Sequence, residues 1–149
     1  MEDSQEIKLT KYYGPNNIKY EEVYVTSFDN LKLYGRLYRI NDSKNVQIQC
    51  HGYKGSGRRD MCRFLLNAKD NGMNVIVVDQ RGHGRSDGNI VTYGVNERKD
   101  LLKWIELAKE KFGEDCNIVL AGLSMGAATV LMALDQELPD NVKGVIADC

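Results

Sequence analysis

The chain lacks a strong charge of either sign, a long apolar run and an N-terminal leader pattern. Its 149 residues include 20 Lys and Arg against 21 Asp and Glu, a formal net charge of −1. No overall field would therefore attract nucleic acid or an anionic membrane. Apolar runs such as residues 75–78 are too short to span a bilayer, and residues 1–6 do not have the layout of a signal peptide. We expect no nucleic-acid partner, no membrane span and a cytoplasmic location.

The cysteines lack the spacing of a metal site or a disulfide framework. Cys50, Cys62, Cys116 and Cys149 include no C-x-x-C pair and have no histidine at ligand spacing. Cys50 and Cys116 lie in or beside apolar, strand-like runs, where a cysteine behaves as a small hydrophobic residue. We expect no metal centre and a structural role for these thiols.

The chain also lacks internal repeats, low-complexity tracts and a Pro/Gly-rich linker, which favours a single domain over residues 1–149. We expect an N-terminal extension at residues 1–17 and a fold core at residues 18–149. Two partly alternating segments, residues 20–28 and 31–40, flank a turn signal at Asp29-Asn30. They predict an antiparallel hairpin that opens the fold.

Predicted strands and helices alternate after this hairpin. The strands are expected at residues 46–50, 74–79, 117–121 and 142–147, and the helices at 59–71, 95–112 and 125–136. Successive strand–helix units predict an α/β fold, with a mostly parallel sheet and helices on both faces. Ligands bind such sheets at the C-terminal ends of the strands. The glycine-rich loops at residues 51–57, 80–88 and 122–126 all follow predicted strands, so they should converge on one edge.

The third of these loops contains the candidate nucleophile. Gly122-Leu123-Ser124-Met125-Gly126 fits G-x-S-x-G between a predicted strand and a predicted helix. That chemistry needs a serine on a strained turn, with small neighbours that relieve crowding and a helix N-terminus facing developing negative charge. The alternative is a glycine-rich turn whose serine only caps the helix.

An oxyanion hole requires two backbone N–H donors near such a serine. One is expected from Met125, the residue after the nucleophile, and one from Tyr53 in the loop after an earlier strand. A phosphate-binding loop is the alternative interpretation of this glycine-rich segment. It is excluded because Arg58-Arg59 stands where that motif requires Lys and then Ser or Thr.

The ordered motifs resemble α/β-hydrolases over about residues 20 to 149, and the bacterial branch related to prolyl-oligopeptidase-like and acyl-ester hydrolases is the most similar. The motifs are His51-Gly52, residues 79–86, Thr92-Tyr93-Gly94, residues 122–127 and residues 146–149. The resemblance implies a serine hydrolase that needs no metal or organic cofactor. It also implies that the loop residues around the site are structural: His51, Gly52, Asp79, Arg81, His83 and Ser86.

The resemblance implies the chain order serine, acid, histidine, but no histidine follows Ser124. Asp148 is a candidate acid, although its position is more often structural. We therefore expect the triad acid and histidine to lie beyond Cys149, and these 149 residues to be the inactive N-terminal half of a longer chain. The apolar strand at 142–147 would then need the missing half, or an oligomer partner, to cover its edge.

The resulting hypothesis is hydrolysis of a small-molecule carboxylic ester or related acyl compound. Peptidase or acyltransferase activity on the same scaffold is an alternative, because substrate choice lies in loops and caps. A non-catalytic interaction protein is a third possibility. A basic cluster formed by Lys54, Arg58, Arg59 and Arg63 could favour an acidic substrate group, while a solvated helix face explains the same charges.

Overall fold

The computed structural model describes residues 18–149, apart from the side chains of Arg58 and Arg59, and these residues form a six-stranded sheet with helices on both faces. The predicted extension at residues 1–17 lies outside the described residues. The strands are β1 (Glu21–Thr26), β2 (Lys32–Tyr38), β3 (Asn45–Cys50), β4 (Asn74–Val78), β5 (Asn117–Leu123) and β6 (Val142–Asp148). The helices are α1 (Gly57–Asp60), α2 (Cys62–Asp70), α3 (Glu97–Phe112) and α4 (Met125–Met132), and a 3₁₀ turn follows at Ala133–Asp135.

The strand order is β1-β2-β4-β3-β5-β6. β1 pairs antiparallel with β2, which confirms the predicted hairpin, and β2 pairs antiparallel with β4. β4, β3, β5 and β6 are mutually parallel. The α/β class and the mostly parallel sheet are therefore as predicted, and β3 lies at the centre of the parallel part.

The larger core lies between the sheet and the pair α3 and α4. The helix α3 contributes an apolar face to this core, and that face includes Trp104. Trp104 packs so closely on β2 that a Cβ placed on Gly35 would lie 2.8 Å from its ring. The buried side chains of this core include Leu33, Leu37, Val46, Ile48, Ile76, Leu101, Ile105, Ala108, Phe112, Ile118, Leu120 and Val130.

The smaller core lies on the opposite face of the sheet, beneath α2. Met61, Leu65 and Ala68 pack there against Tyr38, Val75 and Val77. Because β4 contributes to both cores, all five of its residues are buried. Its unbroken apolar run reflects a strand covered on both faces.

Two predicted helices differ from the structure. The helix expected at 59–71 is divided by Met61, whose φ of −97° and ψ of 9° lie outside the helical region. The preceding turn, α1, is anchored separately because Gly57 N donates to Asp79 Oδ1 at 2.9 Å. The helix expected at 125–136 ends at Met132, and a 3₁₀ turn continues it to Asp135.

The third predicted helix, at 95–112, begins at Glu97. The reason is a side-chain cap before it: Thr92 N and Thr92 Oγ1 both donate to the Glu97 carboxylate, and Asn96 N donates to Thr92 Oγ1. These bonds hold residues 92–96 as a loop. No helix within residues 18–149 combines the length and apolar character needed to cross a membrane.

All four cysteines are free thiols. Cys50 and Cys116 are buried in the larger core, as predicted from their apolar surroundings. Burial raises the pKa of the Cys50 thiol to about 12. This thiol is therefore protonated at neutral pH and packs as an apolar group.

Candidate active site

Three loops meet at the C-terminal edge of the sheet, as the sequence predicts. β5 ends at Leu123, and Ser124 connects it directly to α4. The loop after β3 lies against this connection, since a Cβ placed on Gly52 would be 3.5 Å from Ser124 Cβ. The loop after β4 joins the loop after β3 through two hydrogen bonds between Gln80 and His51. The structure thus brings the predicted nucleophile beside the predicted oxyanion loop.

Ser124 has a strained backbone and an exposed side chain. Its φ of 55° and ψ of −111° are unusual for a residue with a Cβ. Its N–H donates to the carbonyl oxygen of Asp148 at 2.7 Å, which ties the turn to the end of β6. The hydroxyl makes no capping hydrogen bond to α4. Ser124 therefore occupies the N-cap position of α4 without capping it through its side chain.

The two glycines of G-x-S-x-G allow close backbone contacts at this turn. A Cβ on Gly122 would lie 2.1 Å from the carbonyl oxygen of Gly126. A Cβ on Gly126 would lie 2.0 Å from the carbonyl oxygen of Cys50. These distances are far below van der Waals contact, so any larger residue would force β3, β5 and α4 apart.

Two backbone N–H groups of these loops, those of Met125 and Tyr53, have no acceptor among the described residues. Met125 is the first residue of α4, and the first N–H groups of a helix have no intrahelical acceptor. The neighbours of Tyr53 are already engaged, because Lys54 N donates to His83 Nε2 and Gly55 N donates to Gly52 O. Within residues 18–149, the N–H of Tyr53 itself donates to no acceptor.

His51 is fully buried, and both of its ring nitrogens contact the backbone. Nε2 accepts from Gln80 N at 2.9 Å, and Nδ1 lies 2.7 Å from Gly52 O. These partners require the neutral ring with its proton on Nδ1. Burial is the main cause that lowers the pKa of His51 below its usual value, so the ring stays neutral at neutral pH.

His83 has the same arrangement one loop away. Its Nε2 accepts from Lys54 N at 3.0 Å, and its Nδ1 lies 3.0 Å from Arg81 O. The two imidazole rings contact each other edge to face, with centroids 4.9 Å apart. His83 therefore holds Lys54, the residue that follows Tyr53. In both His51 and His83, each ring nitrogen already has a backbone partner, so neither ring has a free nitrogen for proton transfer.

Asp79 and Ser86 hold the loop after β4 against the rest of the fold. The Asp79 carboxylate accepts from Gly57 N at 2.9 Å and from Arg85 N at 3.0 Å. Ser86 Oγ donates to the Asp79 carbonyl at 2.5 Å and accepts from Tyr34 N at 2.8 Å. Each of these side chains satisfies backbone groups of distant segments.

Arg81 forms two ion pairs beneath the same loop. It makes two hydrogen bonds to Asp100 on α3, at 2.7 Å each, and two to Asp29 in the hairpin turn, at 2.9 Å each. The hydrogen bonds from Arg81 hold the pKa of Asp29 at about 2. Burial outweighs the same partner at Asp100 and raises the pKa of that carboxyl. Arg81 therefore connects the hairpin, the loop and α3.

Asp148, the predicted candidate acid, is the last residue of β6 and is exposed. Its carbonyl holds Ser124 N, whereas its carboxylate has no hydrogen-bond partner among the residues that the structure describes. The basic cluster is only partly described. Lys54 Nζ lies 5.5 Å from the centroid of the Tyr53 ring, and Arg63 is exposed on α2.

Four further residues shape the site, although no sequence pattern predicted a role for them. Gln80 Nε2 donates to His51 O at 2.7 Å, and Gln80 Oε1 accepts from Thr129 Oγ1 at 2.8 Å. Gln80 thus links three segments, and its place directly after β4 was the available signal. Asp100 is the buried partner of Arg81, and Tyr93 contacts Tyr53 across two loops. Helical periodicity predicts that Asp100 is on α3, but not that it is buried.

Comparison with known proteins identifies the family. A profile of the α/β-hydrolase fold family matches residues 48–149, which include all three site loops. The chain belongs to this family. The family resemblance predicted from the ordered motifs is therefore confirmed.

Individual relatives are similar over most of this chain. The Bacillus subtilis protein YqkD is 33% identical over 135 residues, covering 87% of this chain and 44% of the relative. A proline iminopeptidase from Saccharolobus solfataricus is 36% identical over 115 residues, and the match covers 77% of this chain and 36% of the relative. The structure of the Pyrococcus furiosus esterase Pf2001 matches with a TM-score of 0.77 and 29% identity, over 87% of this chain and 51% of the esterase chain. The chain thus spans about half, or less, of the length of these relatives.

Proposed function

We propose that the protein hydrolyses carboxylic esters or related acyl compounds, with Ser124 as nucleophile. Ser124 Oγ attacks the substrate carbonyl carbon, and the carbonyl oxygen becomes an oxyanion. The N–H groups of Tyr53 and Met125 donate hydrogen bonds to that oxygen. The serine proton passes to a base and then to the alcohol oxygen as the intermediate collapses and the C–O bond to the alcohol breaks, which leaves an acyl-serine ester. Water then attacks this ester, so that the carboxylic acid leaves and Ser124 regains its hydroxyl. The proposed chemistry uses no metal or organic cofactor.

The observation that carries the proposal is the position of Ser124. Its exposed hydroxyl lies on a turn with φ of 55° at the start of α4, beside a loop whose Tyr53 N–H has no acceptor among the described residues. A strained, non-glycine turn costs on the order of 1–3 kcal/mol. Such a conformation is typical of a functional residue, and the G-x-S-x-G turn uses it to raise the serine hydroxyl above the sheet.

The base that activates Ser124 is proposed to come from outside these 149 residues. A serine hydroxyl needs a neighbouring base to become a strong nucleophile. The chain holds two histidines, and in both the Nε2 atom already accepts a backbone N–H. We propose that His51, Gly52, Asp79, Arg81, His83 and Ser86 support the loops, and that Asp148 contributes to the turn through its carbonyl.

The substrate class is proposed from the family and from two relatives. Similarity to the P. furiosus esterase favours an ester. Similarity to the S. solfataricus proline iminopeptidase favours the alternative, cleavage of an amide after an N-terminal proline. Acyltransferase activity and a non-catalytic interaction role stay predictions, because no contact among the described residues favours either. The cytoplasmic location also stays a prediction.

Labelling with a fluorophosphonate tests the nucleophile. We expect the full-length protein to be labelled, Ser124→Ala to abolish labelling, and Ser43→Ala to leave it unchanged. Ser43 is a matched control because it precedes β3 and so lies at the opposite edge of the sheet. The 149-residue chain alone should label weakly or not at all, since its serine lacks the proposed base. A folded full-length protein without labelling would remove the proposal and favour an interaction role.

Two substrates then separate the enzyme classes. The full-length protein is expected to hydrolyse 4-nitrophenyl butanoate with a higher kcat/KM than L-proline 4-nitroanilide. The reverse order would establish the peptidase alternative. In either case Ser124→Ala should abolish turnover, because both reactions need the same nucleophile.

A further inference from the structure

Two exposed tyrosines form a pair at the rim of the candidate site. The rings of Tyr53 and Tyr93 have centroids 5.3 Å apart and planes inclined by 41°. They are 49% and 54% exposed, and neither ring belongs to the two apolar cores. Packing in the fold interior therefore does not account for this pair.

The two tyrosines come from different segments that flank the candidate site. Tyr53 directly follows Gly52, where an added Cβ would lie 3.5 Å from Ser124 Cβ. Tyr93 directly precedes Gly94, where an added Cβ would lie 3.4 Å from the backbone of Ala128 on α4. One tyrosine thus extends from the oxyanion loop and the other from the segment packed on the helix after the nucleophile.

The backbone on each side of the pair is held in place by specific contacts. Lys54, with φ of 57°, is fixed by its hydrogen bond to His83, and the His83 ring lies 6.1 Å from the Tyr53 ring. Tyr93 has φ of 52° between Thr92 and Gly94, both bonded to the Glu97 carboxylate. Left-handed conformations at bulky residues are uncommon, so the fold positions both rings by strained but supported loops.

We propose that Tyr53 and Tyr93 form an aromatic platform that determines specificity, by stacking on an aryl group or another flat apolar group of the ester. This rests on the proposed function, because the platform is defined relative to Ser124. Tyr53 also contacts His83 and Lys54, so the surface offered to a ligand is the exposed half of each ring. An aromatic contact there gains attraction beyond the buried area. A substrate group bound there would lie next to the oxyanion loop and orient the carbonyl towards Ser124.

The test compares matched esters on the full-length protein. Ethyl 3-phenylpropanoate is compared with ethyl butanoate, and 2-phenylethyl acetate with butyl acetate, by acid release in a pH-stat. Tyr93→Ala is expected to lower the aromatic-to-aliphatic ratio of kcat/KM about fivefold for at least one pair, in line with the strength of an aromatic contact. The change should appear mainly in KM, and Tyr93→Phe should restore the ratio. Tyr24→Ala is the matched control, because Tyr24 is a similarly exposed tyrosine on β1.

The possible outcomes distinguish a failure of the aromatic-platform proposal from a failure of the proposed function. Ester hydrolysis with unchanged ratios in both Tyr93→Ala and Tyr53→Leu would overturn the platform and leave the proposed function intact. If no ester is hydrolysed and fluorophosphonate labelling fails, the proposed function is wrong. Saturation-transfer NMR of ethyl 3-phenylpropanoate with Ser124→Ala then decides the platform by itself. A signal lost on adding Tyr93→Ala supports it, and a signal that is absent or insensitive to Tyr93→Ala overturns it.

Discussion

The unfavourable backbone conformation of Ser124 lies in a turn that is closely packed on both sides. Gly122 and Gly126 contact backbone atoms that any Cβ would strike, and the Ser124 N–H is bound to the end of β6. The strain is therefore maintained by packing between β3, β5 and α4. For the proposed nucleophile, this fixed position would reduce the reorganisation needed to reach a substrate.

Gly126→Ala tests this account at the scale of one residue. The added Cβ would lie 2.0 Å from Cys50 O, so we expect the free energy of unfolding to fall by about 1–3 kcal/mol, the usual cost of overpacking. Gly144→Ala is the matched control, because a Cβ there meets nothing within 4 Å, and its effect should stay within about 0.5 kcal/mol. Urea denaturation measures both variants. Equal stability of the two would show that the turn can relax and that the close contact is not limiting.

At the scale of elements, the loop after β4 acts as a connector. Arg81 joins it to the hairpin turn and to α3, Ser86 joins it to β2, and Asp79 joins it to α1. His83 in turn holds the oxyanion loop through Lys54. The loop contains little apolar surface. Hydrogen bonds and ion pairs between charged and polar groups therefore hold it in position.

Arg81→Ala and Arg85→Ala compare two arginines of this loop. The Arg81 side chain is 4% exposed, and its removal would leave the Asp100 carboxylate buried without an ion-pair partner. We therefore expect Arg81→Ala to lower the free energy of unfolding by about 3–5 kcal/mol. Arg85 is 40% exposed and pairs with exposed Glu22. Its removal should cost less than about 1 kcal/mol. Chemical denaturation decides between them, and similar losses for both would contradict a special role for the buried pair.

For the whole molecule, the two sheet edges differ. β1 closes one edge with an antiparallel strand, while β6 lies at the other edge of the sheet with its second side unpaired among the described strands. Ile146 on β6 is exposed, and Val142 and Val145 are only partly buried. An exposed apolar edge strand pairs readily with another chain. We propose that a further part of the protein, or a partner, covers β6 in the active form.

The 149-residue chain expressed alone is therefore expected to self-associate as its concentration rises. Ile146→Lys should reduce this association, since a charge on an edge strand opposes edge-to-edge pairing. Ile90→Lys makes the same chemical change at an exposed loop position outside the sheet and should have little effect. Sedimentation velocity at several concentrations measures the outcome. A monomer throughout, or equal effects of the two variants, would rule out association through β6.

Local sequence patterns were enough to predict most elements and the strand-to-helix turn that carries Ser124, the proposed nucleophile. Alternation around Asp29-Asn30 predicted the hairpin, and the apolar runs and helical spacing predicted β3 to β6 and α3. G-x-S-x-G between a strand and a helix predicted the turn at Ser124. These features depend on residues within about a dozen positions of one another, because periodicity, capping and turn chemistry act over that range.

The sequence by itself thus determined the α/β class, the order of the elements and which loops reach the site. The tertiary structure decided the placement of β2 against β4, the break at Met61 and the hydrogen bonds that occupy both histidines. It also decided the contact between Tyr53 and Tyr93. Each of these depends on groups far apart in the chain, such as Lys54 and His83, which are 29 residues apart. No local pattern specifies such a contact, because it forms only after the sheet has brought the loops to one edge.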